Sequence, residues 1–454
     1  MTARVAGRVV PAIMIAYVLP AFVVALPTIP VFLHVPHLYG VELGLGLATT
    51  GFLLLAARVI DTAADPLVGL LSDRWGWRGS HRKPWIAAGA VLAGLGLFQL
   101  LNPPSPVGAL HLFGWSVALY VGWTMMSVPY SAWGAELSAD YHERTRITAW
   151  REAIALLGVV AAGAVQAGAA ALGWNDRASV GAIAWLGIAG GAVAIPLLLA
   201  VVPDHPPMAR RSRPGGASDW RRTLRSLAAN RLSLRLLAAW FLNGLANGIP
   251  ATLFFLYLEH GLGAGERARP LFVLLYFAAA ILAIPLWQRL SRRLGKHATW
   301  CWAMIAACAA FATVPWIPPS GFVAFAIVCL VTGMAFGADL ALPPAMQADV
   351  VDYGTLRSGQ AAAGLHFALW AMGSKLALAF AVGLALPVLE LLGFDPAAPD
   401  GANRAPLIGL YAVLPVLIKA MAIALIWSFP LTAERQRIIR RWLSRPRAAA
   451  TGAP

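Results

Sequence analysis

Ala57–Pro84, ARVIDTAADPLVGLLSDRWGWRGSHRKP, decides how the rest of the chain is read. It begins inside an apolar run, carries Arg58, Asp61 and Asp65 into that run, and ends in a basic turn. Helical residues four apart share a face, so Asp61 and Asp65 stand one above the other, and Arg58 joins them one turn earlier. Each charge placed at the centre of a bilayer costs ~2.5–3.5 kcal/mol even on lenient scales. Two carboxylates and a guanidinium at that depth must face a protein interior or a water-filled path. Two readings stay open: a site for a cation or polar substrate, and a structural ion-pair lock.

Composition sets the class. Hydrophobic residues make up 59% of the 454 and charged ones only 12%, with a mean hydropathy of +0.70. That is an integral membrane protein, all-α, with about twelve stretches of the ~20 apolar residues a span requires. Arg4 and Arg8 ahead of an apolar run imitate a signal peptide. The run is long enough to span and lacks a small-residue cleavage site, so it is read as the first helix. Cys301, Cys308 and Cys329 all fall in expected spans and suggest neither a disulfide framework nor a metal motif.

The net charge of +15 invites a nucleic-acid reading, and its distribution argues against one. Basic residues gather in alternate loops: Arg74–Lys83, Arg144 and Arg146, Arg210–Arg235, Arg289–Lys296 and the tail from Arg435 to Arg447. The intervening loops hold few, among them Arg177, Arg267, Arg269 and Arg404. This positive-inside pattern places both termini and the central loop in the cytoplasm, hence an even number of spans. The expected division is a six-helix bundle at 1–203, a basic linker at 204–234, a second bundle at 235–431 and a basic tail at 432–454. The first span is expected to end near residue 33.

An internal repeat supports two halves. Pro66-Leu-Val-Gly-Leu-Leu-Ser-Asp-Arg-Trp-Gly76 recurs as Pro285-Leu-Trp-Gln-Arg-Leu-Ser-Arg-Arg-Leu-Gly295, without a gap and after the second span of each half. Parallel six-helix repeats of this kind are the plan of the major facilitators.

The loop Gly69-Leu-Leu-Ser-Asp73-Arg74-Trp-Gly76-Trp-Arg78 resembles the major facilitator signature between helices 2 and 3. Asp61-Thr-Ala-Ala-Asp65-Pro66 resembles the helix 2 motif of the glycoside-pentoside-hexuronide:cation symporters, the melibiose-permease family. Thr124-Met-Met-Ser127-Val-Pro129-Tyr130, Glu143-Arg144-Thr-Arg146 with Arg151, Met346-Gln-Ala-Asp349-Val-Val-Asp352-Tyr353-Gly354, and Lys375 fit the same family in order. The resemblance implies a cation site at Asp61, Asp65 and Thr124 with Lys375 as a positive neighbour, holding H+ or Na+ and no other cofactor or metal. It implies gating roles for Asp73, Arg74, Arg144, Asp349 and Asp352, as a latch between the halves.

Two departures matter. Where the family often has Asn before the second acid, this chain has Ala64, which offers no oxygen. A sodium ion loses more by that than a proton, which needs one basic group, so proton coupling is favoured. The acids that hold sugar hydroxyls in galactoside members are replaced by Ala25 and Ser127, so galactoside specificity is not expected.

Other substrate candidates come from position. Asp339 lies ten residues before Asp349, about 15 Å along a helix and near the middle of a ~30 Å core. A salt bridge to Lys375 or Lys419 is the alternative use. Asn243 and Asn247 share a face by their spacing of four, and so do His366 and Trp370, one turn before Lys375. With Ser127, Arg151 and Lys375 they complete the candidate substrate set.

The expectation is a twelve-helix symporter, not an enzyme, working by alternating access on a small-molecule substrate. It would be a monomer within the lipid bilayer of a plasma membrane, a bacterial inner membrane by its family. A sugar or glycoside is the first substrate class and a lipid-like amphipathic solute the second. A membrane-embedded transferase is the reading from another class, and it would want catalytic loops longer than the outward loops here.

Overall fold

The computed structural model describes residues 4–5, 8–74, 80, 82–104, 106–138, 141–203, 230–265, 268–358, 363–395, 404–431 and 433–443. Twelve long helices run through them, as the resemblance implies. In the first half they are α1 (Pro11–Glu42), α2 (Leu47–Arg74), α3 (Lys83–Leu101), α4 (Ala109–Glu136), α5 (Tyr141–Ala171) and α6 (Asp176–Val201). In the second they are α7 (Arg231–Gly261), α8 (Arg269–Leu294), α9 (Lys296–Thr313), α10 (Phe322–Ser358), α11 (Ala363–Leu391) and α12 (Arg404–Ile426). A short α13 (Ala433–Leu443) follows. Positions 204–229 of the expected linker lie outside the described residues.

Eleven of the twelve are long and apolar enough to cross a membrane. The twelfth, α4, has 28 residues, about 42 Å of helix and ample for a ~30 Å core. Trp115, Tyr120, Trp123, Tyr130 and Trp133 lower its hydropathy, and it turns that polarity toward neighbours rather than lipid: it packs along α3 and α2. Helices suit this setting because every backbone polar group is satisfied within the segment.

The first helix is longer than the apolar run suggests. His34, Pro36 and His37 mark an end by composition, yet helical structure continues to Glu42. The polar side chains find partners, His34 in Gln166 of α5 and His37 in Glu259 of the opposite half, so the segment need not stop.

The repeat extends into conformation. α1 ends in a π-helical turn, Leu38–Glu42, and α7 in another, Tyr257–Gly261. Leu43 N–H donates to Leu38 O at 2.8 Å, and Leu262 N–H donates to Tyr257 O at 2.9 Å. Gly44 (φ 71°) and Gly263 (φ 69°) follow, in the left-handed region open to glycine. Leu38 and Tyr257 stand the same distance apart in the chain as Pro66 and Pro285, so one register relates both halves.

Three hydrophobic clusters show how the halves meet. One, from Val9, Tyr17, Tyr130 and Trp133 to Val202, belongs to the first half alone. Another, from Leu236, Trp287 and Trp300 to Phe429, belongs to the second. The third joins Val31, Tyr39, Leu54 and Leu97 of the first half to Phe255, Tyr257, Phe325, Leu386 and Tyr411 of the second. The first two lie toward the helix ends that carry the termini, and the joined one toward the opposite ends. The halves are sealed on the face away from the termini. Across the seam α2 packs on α11, α5 on α8 and α1 on α7. Gly51 sits against Val382, Leu386 and Pro387, and Gly383 against Leu55, so small residues bring α2 and α11 together.

Candidate functional site

Asp61 and Asp65 lie on the face of α2 that meets both α4 and α11. The Asp61 side chain is 2% exposed. The Arg58 guanidinium lies over the Tyr120 ring, 3.8 Å from its centroid, and its Nη1 reaches Asp61 Oδ2 at 3.4 Å. From α4, Thr124 Oγ1 stands 2.8 Å from Asp61 Oδ1 and 2.8 Å from Asp65 Oδ1. A hydroxyl carries one hydrogen, so it donates to one carboxylate at a time.

Lys375 arrives from α11 in the other half. Its Nζ donates to Asp65 Oδ1 at 2.7 Å, to Asp61 Oδ1 at 3.2 Å and to Thr124 Oγ1 at 3.2 Å. Three oxygens thus converge on a point held by a tethered ammonium. Two carboxylates face two cations, Arg58 and Lys375, and the cluster balances. A further cation among these oxygens would leave an excess positive charge in a low-dielectric interior, unless Lys375 withdrew.

A second polar cluster lies wholly in the second half. Asp339 on α10 accepts from Trp300 Nε1 at 2.6 Å and from Asn247 Nδ2 at 2.8 Å. Lys419 on α12 donates to Asn243 Oδ1 at 2.7 Å and to Asn247 Oδ1 at 2.8 Å. Asn247 therefore joins a buried carboxylate to a buried ammonium through its amide. Both charged residues are 3% exposed. Asn243 and Asn247 do share a face, and what they face is Lys419.

The remaining candidates separate. Ser127 is half-buried on α4, one turn beyond Thr124. Arg151 on α5 donates to Ser131 Oγ at 3.0 Å and pairs with Glu152 at 2.6 Å. His366 is buried against Ser233 Oγ at 3.0 Å, and its carbonyl accepts from Gln347. Trp370 stacks on Trp240, with centroids 4.4 Å apart, and Trp240 Nε1 donates to Ser374 Oγ, beside Lys375, at 2.7 Å. Asp349 pairs with Lys296 and Asp352 accepts from Gln436 of α13 at 2.8 Å; both partners belong to the second half. The side chains of Asp73, Arg74 and Arg144 lie outside the described residues.

Sequence reasoning missed one cross-half cluster. His37 of α1 meets Glu259 of α7 at 3.0 Å and Glu42 at 3.1 Å. Two histidines and a distant glutamate at helix ends carry no local signal of pairing. Ala48 N–H also donates to Glu390 Oε2 at 2.6 Å, tying α2 to the end of α11.

A charged cluster begun by one six-helix half and completed by the other, in a frame of two parallel repeats, fits a membrane transporter of the alternating-access class. Comparison with known proteins agrees. The chain belongs to the MFS/sugar transport protein family, whose profile matches residues 9–433, and it is a symporter of the major facilitator type. It is 26% identical over 427 residues to the putative glycoside/cation symporter YagG of Escherichia coli (strain K12), covering 91% of this chain and 90% of that one. It is 24% identical over 445 residues to the human sodium-dependent lysophosphatidylcholine symporter 1, covering 89% and 80%. In fold it is similar to a D-xylose-proton symporter (TM-score 0.67, 15% identity, 93% and 98% covered). It also resembles a mutant form of the nucleoside transporter NupG (TM-score 0.66, 14% identity, 91% and 99% covered).

Proposed function

We propose that the chain couples proton movement to the uptake of a sugar or glycoside, with Asp61, Asp65 and Thr124 as the ion site and Lys375 as its displaceable counter-ion. The observation that carries this reading is the seat of Lys375 Nζ on three oxygens of the other half. An ion arriving there competes with the lysine for the same oxygens. Its binding loosens α11 from α2 and alters the join between the halves, which is how an ion gradient biases a two-state equilibrium. Proton is favoured over sodium because the cluster offers three convergent oxygens and Ala64 adds none, where sodium wants a fuller oxygen shell. The positive-inside pattern supports cytoplasmic termini, so the sealed face is the outer one and the described state opens inward.

The sugar class rests on likeness to a putative glycoside/cation symporter. A second reading, an amphipathic solute, is favoured by one feature. A narrow apolar crevice is lined by Val31, Phe32, Val35, Leu54, Leu378 and Val382, with Arg58 and Tyr120 beside them. Likeness to a lysophosphatidylcholine symporter accords with it.

Right-side-out vesicles given a labelled panel of glycosides, pentoses, uronic acids and lysophospholipids decide between these readings. An imposed proton or sodium gradient drives uptake, with Asp61→Asn beside wild type. Accumulation of a sugar that follows the proton gradient and vanishes in the variant is expected. Accumulation of the lysophospholipid alone replaces the substrate class, and accumulation untouched by Asp61→Asn overturns the ion site.

A further inference from the structure

His37 closes the face away from the termini with a hydrogen-bond pattern that a neutral imidazole cannot make. Nδ1 stands 3.1 Å from Glu42 Oε1 and Nε2 stands 3.0 Å from Glu259 Oε2. Ionised carboxylates only accept, and a neutral imidazole has a single N–H. Both contacts together therefore need one proton more than neutral His37 and two carboxylates possess.

The surroundings favour that extra proton. Arg269 of α8 reaches the same Glu259 Oε2 at 3.2 Å, and its side chain is 8% exposed. With His37 as imidazolium, two cations face Glu42 and Glu259 and the cluster is neutral. Without the proton it carries a net negative charge beside the buried His37 and Arg269 side chains. His34, one turn earlier, differs: its Nε2 lies 2.8 Å from Gln166 Nε2 of α5, and its ring lies tilted against Phe255 with centroids 4.4 Å apart. An imidazole facing an amide donor accepts there, so His34 stays out of the charge balance. His260 borders Glu259 on α7 without facing His37 in these contacts.

We infer that His37 is a second proton-binding site, distinct from Asp61 and Asp65, which takes up a proton when α1 and α7 close and gives it up when they part. Parting removes Glu259 and Arg269 from His37 and leaves it with Glu42 alone. A proton bound more tightly in the closed state favours closure as pH falls and opening as pH rises. For one proton the ratio of closed to open changes by up to about tenfold per pH unit within the titrating window. The inference rests on the alternating-access reading and is independent of what is carried.

The test is electron-spin distance measurement on full-length protein in lipid nanodiscs, without substrate, from pH 5 to 9. Labels go on Leu110→Cys and Trp316→Cys, exposed positions at the sealed ends of the two halves, in a background with the native cysteines replaced by serine. Wild type is expected to shift toward the short distance as pH falls. His37→Gln and Glu259→Gln are expected to flatten that response, whereas His34→Gln, which removes the ring facing Gln166 outside the charge balance, keeps it. An unchanged pH response in His37→Gln overturns the inference, as does its loss in His34→Gln, which would move the proton to the neighbouring histidine. A distance that never changes at any pH, in any variant, overturns the alternating-access reading as well.

Discussion

Lys375 Nζ lies 2.7 Å from Asp65 Oδ1, an ammonium of the second half seated on a carboxylate of the first. The contact occupies the position a coupling ion would take, and it spans the join whose rearrangement transport requires. In the function proposed above, ion binding and helix separation are one event.

Lys375→Ala is expected to leave Asp61 and Asp65 with Arg58 alone. The carboxylates then hold their ion more tightly, because a like-charged competitor is gone, and gradient-driven accumulation falls at least about tenfold, the scale of ~1.4 kcal/mol in coupling. Uptake assays with ion-binding calorimetry check it; accumulation at wild-type level rejects the displaceable lysine.

Ala64→Asn places an amide beside Asp65. One added contact to a charged group is worth ~1.5–3 kcal/mol, so sodium-driven uptake should rise about tenfold or more. Comparing sodium-driven with proton-driven uptake in the same vesicles measures the change. No gain in sodium response would remove the oxygen-count argument for proton preference.

Asp339 and Lys419 act through Asn247, so they should behave as a unit. Asp339→Asn or Lys419→Met alone leaves a buried charge uncompensated and is expected to lower stability by ~3–5 kcal/mol. The double variant should lose less than the sum. Melting curves in detergent provide the cycle, and strict additivity would show the two charges to be uncoupled.

Gly337 is where α10 touches α8: an added Cβ would stand 2.2 Å from Ala280 O. Gly337→Ala should destabilise by ~1–3 kcal/mol through forced backbone movement. Gly94 on α3 has open space around its Cβ position, and Gly94→Ala should leave the melting temperature unchanged or slightly raised, as alanine favours helix.

The helices were legible because the spans are long apolar runs, and the carboxylate cluster because Asp61 and Asp65 are spaced for one helical face. Lys375 is different: nothing local says that a lysine in α11 meets α2, and only family likeness placed it there. Asn243 and Asn247 show the same limit from the other side. Their spacing announced a shared face, while the partner, Lys419, is set by the packing of α12 on α7. His37 and Glu259 are 222 residues apart, and the histidines looked like the end of a span because polarity alone cannot distinguish a helix end from a buried seam.

The register that matches the two π-helical turns also pairs Asp61 with Ala280, Asp65 with Ile284, Arg58 with Phe277 and Lys375 with Leu156. The seam between α2 and α11 therefore has a twin, between α8 and α5, with the same frame and none of the charges. Duplication supplied two equivalent bearings and only one was wired. At those matched positions the α5–α8 seam offers no ion pair to break, so under the proposed coupling the work of the gradient is applied along one side of the molecule.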